Sequence, residues 1–192
     1  MRRSLCALLP LTMALAAPVQ ADMIADALAA ASSAYAAGDL NTAAAQIATA
    51  TGEISARQSD LLLAHFPPAP EGWTREDWPD LMQTLRYLGG GAGVEAIYTD
   101  AEGLTVTLSA YVDNNMVQSF APILSDLSDP QVVPWLGKMV QINGVAFLET
   151  YDLTTMALLD NRVLLQATGE AAKAQALLAQ IDLAAMGAFD SP

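Results

Sequence analysis

The spacing of hydrophobic and polar positions indicates helices in the first third of the chain. Residues 23–64 contain no proline, and their apolar side chains recur every three or four residues, which is typical of amphipathic helices. One row consists of Ile24, Ala27, Leu28, Ala31, Ala34 and Tyr35, and a second consists of Ala44, Ile47, Thr51, Ile54, Gln58, Leu61 and His65. Gly38 can end the first helix, and Asp39 or Asn41 can cap the second. The pattern predicts an antiparallel helical hairpin with a turn of about three residues.

The spacing changes to a period of two in the second half, which indicates β-strands. Residues 104–112 alternate apolar with polar side chains, as a strand with one wet face does, and residues 94–98 pair with it. Asn143-Gly144 and Asp160-Asn161 each separate two apolar runs, and both dipeptides favour tight hairpin turns. The pattern predicts six antiparallel strands.

Further helices are predicted at residues 78–88, 115–127 and 170–180, and a flexible glycine-rich loop at residues 89–93. The fold class is therefore α+β: an N-terminal α-helical hairpin followed by an antiparallel β-sheet of about six strands, packed with helices on one face. Prolines 67, 68 and 70 end the second helix and give the best domain boundary. The expected domains are a signal peptide at 1–21, a helical hairpin at 22–66 and an α+β domain at 67–192.

The N-terminus has the three parts of a cleavable secretory signal peptide. Arg2 and Arg3 precede an uncharged apolar run at residues 5–17, and Ala21 provides the small residue that a signal peptidase requires. The run is too short to span a bilayer about 30 Å thick. We therefore expect a periplasmic or secreted protein, with cleavage after Ala21 and no stable membrane insertion afterwards. Cleavage also removes Cys6, the one cysteine of the chain.

The charge balance excludes some partners. The chain carries 8 basic and 21 acidic residues, a formal net charge of −13. Loss of Arg2 and Arg3 leaves 6 basic residues and a net charge of about −15. A field of this sign repels phosphate backbones and anionic lipids, so we expect no nucleic-acid partner. A basic partner or a cation remains compatible with it.

No catalytic, cofactor or metal signature stands out. His65 is the single histidine, and without a thiol or a second imidazole it cannot assemble the usual nitrogen- and sulfur-rich metal site. No G-x-S-x-G elbow occurs. The glycine-rich loop lacks the lysine and the strand-to-helix context of a phosphate cradle. We expect no catalytic residue, no metal site and no cofactor, and hence no enzyme.

Acidic pairs are the remaining chemical candidates. They are Glu76 with Asp77, Asp126 with Asp129, and Asp182 near Asp190, and the run Asp113-Asn114-Asn115 adds three oxygen-bearing side chains. Paired carboxylates can bind calcium or hydrolyse a glycosidic bond. With 21 acidic residues present, however, pairs at close spacing are expected by chance.

Five aromatic residues form the candidate ligand-binding set. They are Trp73, Trp78, Tyr98, Trp135 and Tyr151. Aromatic side chains at a junction between elements can line a pocket, although they also commonly seal the edge of a core.

The order of elements in residues 72–186 resembles the PsbP-like fold, which includes DcrB-like periplasmic proteins. The resemblance depends on Gly72-Trp73, the run from Gly93 to Tyr98, Ile142-Asn143-Gly144 and Tyr151. It implies a non-enzymatic accessory or assembly factor, and some members of that superfamily bind cations. It assigns no binding residue to this chain and does not include the helical hairpin.

Two functions follow as hypotheses. The first is an accessory module whose helical hairpin docks on its own domain or on a protein partner of unknown identity. The hairpin is rich in alanine, so it buries little area by itself and favours a further surface to pack on. The alternative is a periplasmic domain that binds a small molecule or a cation near the tryptophans.

Overall fold

The computed structural model of the chain describes residues 22–78, 81, 85, 90–125, 127 and 133–190. Two compact units make up the chain, Met1–Ala50 and Thr51–Pro192, so the predicted boundary between residues 66 and 67 falls inside the second unit. The predicted signal peptide lies outside the described residues, as does most of the predicted helix at 78–88.

The first unit contains the predicted helical hairpin. Helix α1 spans Met23–Ala36, and helix α2 begins at Leu40 and continues to Leu63 in the second unit. Asp22 caps α1, because its Oδ1 accepts a hydrogen bond from the backbone N–H of Ile24 at 3.2 Å. Gly38 has a φ of 78°, a left-handed conformation that suits glycine at the end of a helix. The predicted turn between the two helices is confirmed.

The second unit is built on a seven-stranded antiparallel sheet in the order β1-β2-β3-β7-β6-β5-β4. Its strands are β1 Thr74–Asp77, β2 Ala92–Thr99, β3 Thr105–Val112, β4 Gly137–Ile142, β5 Val145–Thr150, β6 Thr154–Leu159 and β7 Val163–Gly169. The turns at Asn143-Gly144 and Asp160-Asn161 have positive φ at both residues, as type I′ hairpins require. The six predicted strands are confirmed.

The additional strand, β1, lies at the edge of the sheet and pairs with β2 alone. Its sequence, Thr-Arg-Glu-Asp, has no apolar alternation, so the period-two pattern gave no indication of it. Charged side chains are common on edge strands because they discourage pairing with another molecule.

Helices lie on both faces of the sheet, whereas the sequence predicted them on one. The other helices whose bounds lie within the described residues are α3 Asn115–Leu124, α4 Val133–Leu136, α5 Ala171–Leu178 and α6 Leu183–Gly187. The larger core cluster joins one face of β2, β3 and β7 to Leu62 of α2 and to residues of α5 and α6. The smaller cluster joins Tyr111 and Leu164, on the opposite face, to Val117 of α3.

The predicted wet face of β3 is therefore covered over much of its length. Ser109 and Tyr111 are buried although they alternate with the core residues Leu108 and Ala110. The periodicity identified the face of β3 that packs on the larger cluster. It did not indicate that helices also cover the opposite face. Among the described residues, no helix is both long enough and apolar enough to cross a bilayer.

Candidate functional site

An apolar surface on the hairpin of the first unit is the main candidate site. Four large side chains there are well exposed: Leu28 at 50%, Tyr35 at 71%, Leu40 at 64% and Ile47 at 54%. We call these four residues the hairpin face. In contrast, the buried apolar side chains of this unit's described residues are all alanines, at positions 27, 31, 43 and 50. The hairpin thus buries small side chains and exposes large ones.

Helical geometry places the four residues on one side of the hairpin. Leu28 and Tyr35 are seven residues apart on α1, and Leu40 and Ile47 are seven apart on α2, so each pair forms a row along its helix. On each helix, the exposed row is rotated about the helix axis by about 60–70° from the buried alanines, and the direction of rotation is the same on both helices. When two antiparallel helices present their buried rows to each other, rotations in the same direction bring both exposed rows to the same side of the pair. The two rows therefore form a common apolar surface.

The charged residues in the described part of this unit are all acidic. Asp22, Asp26 and Asp39 belong to the described part of this unit, and residues 22–56 contain no lysine or arginine. Asp39 caps α2, since its Oδ1 accepts from Thr42 N–H at 3.0 Å and its Oδ2 accepts from Thr42 Oγ1 at 2.7 Å. These hydrogen bonds from Thr42 lower the pKa of Asp39 below its usual value, so its carboxylate stays ionised.

The row of apolar positions predicted on the second helix is exposed rather than buried. Ile47, Ile54 and Leu61 all belong to the exposed large side chains. The buried residues of α2 are instead Ala43, Ala50, Ser55, Ser59 and Leu62. A periodic row shows which face of a helix is apolar, but not whether the chain itself covers that face. The exact seven-residue spacing from Leu40 to Leu61 was the feature of the sequence that could have indicated an interaction surface.

The five aromatic residues proposed as a ligand-binding set do not meet in one groove. Tyr98 is fully buried, and its hydroxyl donates a 2.6 Å hydrogen bond to the carbonyl of Pro67. Trp73 packs against the larger core cluster, with Lys173 Nζ 5.8 Å from its ring centroid. Trp135 and Tyr151 are largely exposed. Of the five, Trp78 lines a cleft that the structure describes.

Most of the candidate acidic groups have structural partners. Arg162 bridges Asp113, at 2.8 Å, and Asp190, at 2.5 Å, and its hydrogen bond lowers the pKa of Asp190. Asp77 pairs with Arg75 at 2.6 Å, and Asp182 caps α6 by accepting from Ala185 N–H. Asp126 and Asp129 lie outside the described residues.

The described residues also offer no ready metal site. Within the part of the chain that the structure describes, no three His, Cys, Asp or Glu side chains are grouped so that they could hold a metal ion. His65 is partly exposed at the end of α2, where its backbone N–H donates to the carbonyl of Leu62 at 3.0 Å.

Described residues of the second unit line two clefts of note. The larger, about 710 Å³, is lined by both tight turns and by α6, and its acidic side chains are Asp160 and Asp182. It has no aromatic lining residue. The smaller, about 280 Å³, is lined by residues of α2, β1 and β2 together with Trp78. The smaller cleft thus combines an aromatic surface with acidic groups.

These features define an α+β protein with an N-terminal helical hairpin that exposes an apolar face. No protein-family model, curated protein or solved structure matches the chain. The resemblance of residues 72–186 to the PsbP-like fold therefore stays a prediction.

Proposed function

We propose that this protein is an exported, non-enzymatic interaction module that docks onto a partner protein through the hairpin face. The observation that carries the proposal is the reversal of side-chain size in the first unit, where alanines are buried and Leu28, Tyr35, Leu40 and Ile47 are exposed. Large apolar side chains gathered on one surface are typical of a protein-binding site.

The energetics favour a further contact at this surface. Complete burial of a large apolar side chain contributes about 1.5–3 kcal/mol relative to full exposure, and each residue of the hairpin face is half or more exposed. Covering four such residues would contribute several kcal/mol before the costs of association. The buried alanines of the hairpin provide far less apolar area. A partner can therefore stabilise the hairpin as well as bind to it.

Charge indicates the kind of partner. Asp22, Asp26 and Asp39 are the charged residues in the described part of this unit, residues 22–56 contain no lysine or arginine, and the whole chain is strongly acidic. A second copy of the chain would bring carboxylates against carboxylates, whereas a basic partner would bring opposite charges together. We therefore expect the partner to present an amphipathic helix whose apolar face is flanked by lysine or arginine.

A synthetic amphipathic helix of leucine and lysine, labelled with fluorescein, tests this proposal by fluorescence anisotropy. We expect the protein to bind this peptide, and the double variant Leu40→Gln/Ile47→Gln to bind it at least about tenfold more weakly, equivalent to a loss of about 1.4 kcal/mol. Glutamine preserves helix propensity, so the variant should remain folded.

Two controls distinguish docking at the hairpin from general attraction to an acidic protein. The variant Met139→Gln/Leu153→Gln removes two exposed apolar side chains of the sheet domain and should bind like the unmodified protein. A matched peptide of leucine and glutamate should not bind. Equal binding by both double variants, or equal binding of both peptides, would contradict the proposal.

Export is a separate part of the proposal with its own measurement. Expression of the full chain in a Gram-negative host should yield a periplasmic protein whose mass corresponds to a chain beginning at Asp22. Replacement of Leu8 and Leu9 by arginine interrupts the apolar run and should leave an uncleaved protein in the cytoplasm. Detection of the full-length mass in the periplasm, or of cleavage in the variant, would contradict cleavage by a signal peptidase.

A further inference from the structure

The cleft beside Trp78 has an open aromatic wall. Trp78 follows strand β1, and its backbone N–H donates a 2.8 Å hydrogen bond to the carbonyl of Glu95 on β2. This bond fixes the backbone of Trp78 at the edge of the sheet, while its side chain remains 50% exposed. Leu63 of α2 and Val94 of β2 add apolar lining to the cleft. A large aromatic surface therefore lies in contact with both solvent and a concave site.

The charges that line the same cleft are exclusively acidic among its described residues: Asp60, Asp77 and Glu95. Asp77 is neutralised in part by its 2.6 Å ion pair with Arg75, and Glu95 Oε2 accepts a 3.0 Å hydrogen bond from Ser109 Oγ. Asp60 forms none of the ion pairs found among the described residues. The cleft therefore has a net negative charge and favours a cationic ligand.

The arrangement suits an organic cation better than a metal ion. A metal ion needs several ligand atoms within about 2–2.6 Å, and the described residues contain no group of three acidic, histidine or cysteine side chains that could provide them. An alkylammonium ion needs no such close coordination, because it binds over the face of an aromatic ring and near carboxylates. At about 30 Å³ for each water-sized group, a cleft of about 280 Å³ has room for roughly nine non-hydrogen atoms.

We propose that the cleft formed by Trp78, Asp60, Asp77 and Glu95 binds a small alkylammonium ion. The indole face contacts the methyl groups of the cation, Leu63 and Val94 contact its apolar part, and Asp60, which has no ion-pair partner among the described residues, provides the opposite charge. The larger cleft lacks an aromatic side chain, and Asp182 there is occupied in capping α6, so the same argument does not apply to it. This site is independent of the hairpin face and does not require the docking proposal to hold.

Choline is a suitable probe, and 3,3-dimethyl-1-butanol is its neutral counterpart of nearly the same shape. Isothermal titration calorimetry on the whole protein should show saturable binding of choline with a Kd in the millimolar range and at least tenfold weaker binding of the neutral analogue. Trp78→Leu should weaken choline binding about tenfold, because it removes the aromatic face but retains apolar volume. Asp60→Asn should weaken it by a smaller factor.

The matched control is Trp135→Leu, which removes a tryptophan that is 85% exposed and does not line the cleft. This variant should bind choline like the unmodified protein, and so should Leu40→Gln/Ile47→Gln, which addresses the docking proposal alone. Equal binding of choline and its neutral analogue would overturn the inference. So would equal affinities of the Trp78→Leu and Trp135→Leu variants, competition by calcium at equal concentration, or no saturable heat up to about 50 mM choline.

Discussion

Phe147→Ala should lower the free energy of unfolding by about 3–5 kcal/mol. Phe147 lies on β5 and is fully buried in the larger core cluster, among the largest side chains that have no contact with solvent. Removal of its ring loses the free energy of transfer from water and leaves a cavity that a rigid sheet cannot close completely. A loss of this size is a large fraction of the stability of a typical domain. Urea unfolding followed by circular dichroism would measure it.

Met139→Ala is the matched control for this substitution. Met139 lies on the neighbouring strand β4, but its side chain is exposed, so we expect a change within about 0.5 kcal/mol. Should Phe147→Ala cost no more than Met139→Ala, the assignment of Phe147 to the core would be wrong.

Tyr98→Phe should reduce the loss of stability that the protein undergoes at alkaline pH. Burial raises the pKa of the Tyr98 hydroxyl from 10.0 to about 12, despite the opposing effect of Arg75 nearby. Below pH 10 the phenol is protonated in both the folded and the unfolded chain, and its contribution to stability is constant. Between pH 10 and 12 the unfolded chain releases this proton while the folded chain retains it, so stability decreases as pH rises. This contribution is of the order of 3 kcal/mol.

Urea unfolding at several pH values between 9 and 12 would separate this effect from the others. At neutral pH, Tyr98→Phe should cost about 1 kcal/mol, since it removes the hydrogen bond to the Pro67 carbonyl. The pH dependence of the variant should then be weaker than that of the unmodified protein. Parallel curves for the unmodified protein and Tyr98→Phe would show that this phenol does not titrate as a buried group.

Several elements of the fold were predictable because their signals are local. The hairpin turns depend on the ability of Asn143-Gly144 and Asp160-Asn161 to adopt positive φ, which belongs to those residues themselves. The strand spanning Thr105–Val112 showed its period-two pattern directly in the sequence. The capping side chain of Asp22 marks the start of the first helix, and Gly38 marks its end. Both residues act on backbone groups only a few positions away.

Other elements were not predicted because they depend on contacts between residues that are far apart in the sequence. Strand β1 carries charged side chains and exists through backbone pairing with β2, so its own sequence contains no apolar pattern. The second helical layer became evident from the burial of Ser109 and Tyr111, two residues that alternation alone places on a wet face. The candidate clefts depend on residues that are far apart in sequence, such as Asp60 and Trp78.

The candidate sites also combine features that the sequence determines with features that depend on the tertiary structure. Composition alone made a basic or cationic partner more favourable than nucleic acid, because charge sums over the whole chain and does not depend on the fold. Of the aromatic residues singled out, the structure buries Tyr98 in the core and leaves Trp78 beside a cleft. Their identity as aromatics could not distinguish these two outcomes, because each is decided by neighbours contributed from other elements.

The sequence by itself determined the class of the fold, the positions of its turns and the sign of its electrostatic field, because these depend on short-range conformational preference and on total charge. The tertiary structure decided which apolar rows are covered. Ile47 and Phe147 are both apolar side chains in periodic patterns, yet one is exposed and the other is fully buried. The hydrophobic effect rewards removal of apolar area from water by any neighbour, so periodicity can reveal an apolar face but not the surface that will cover it.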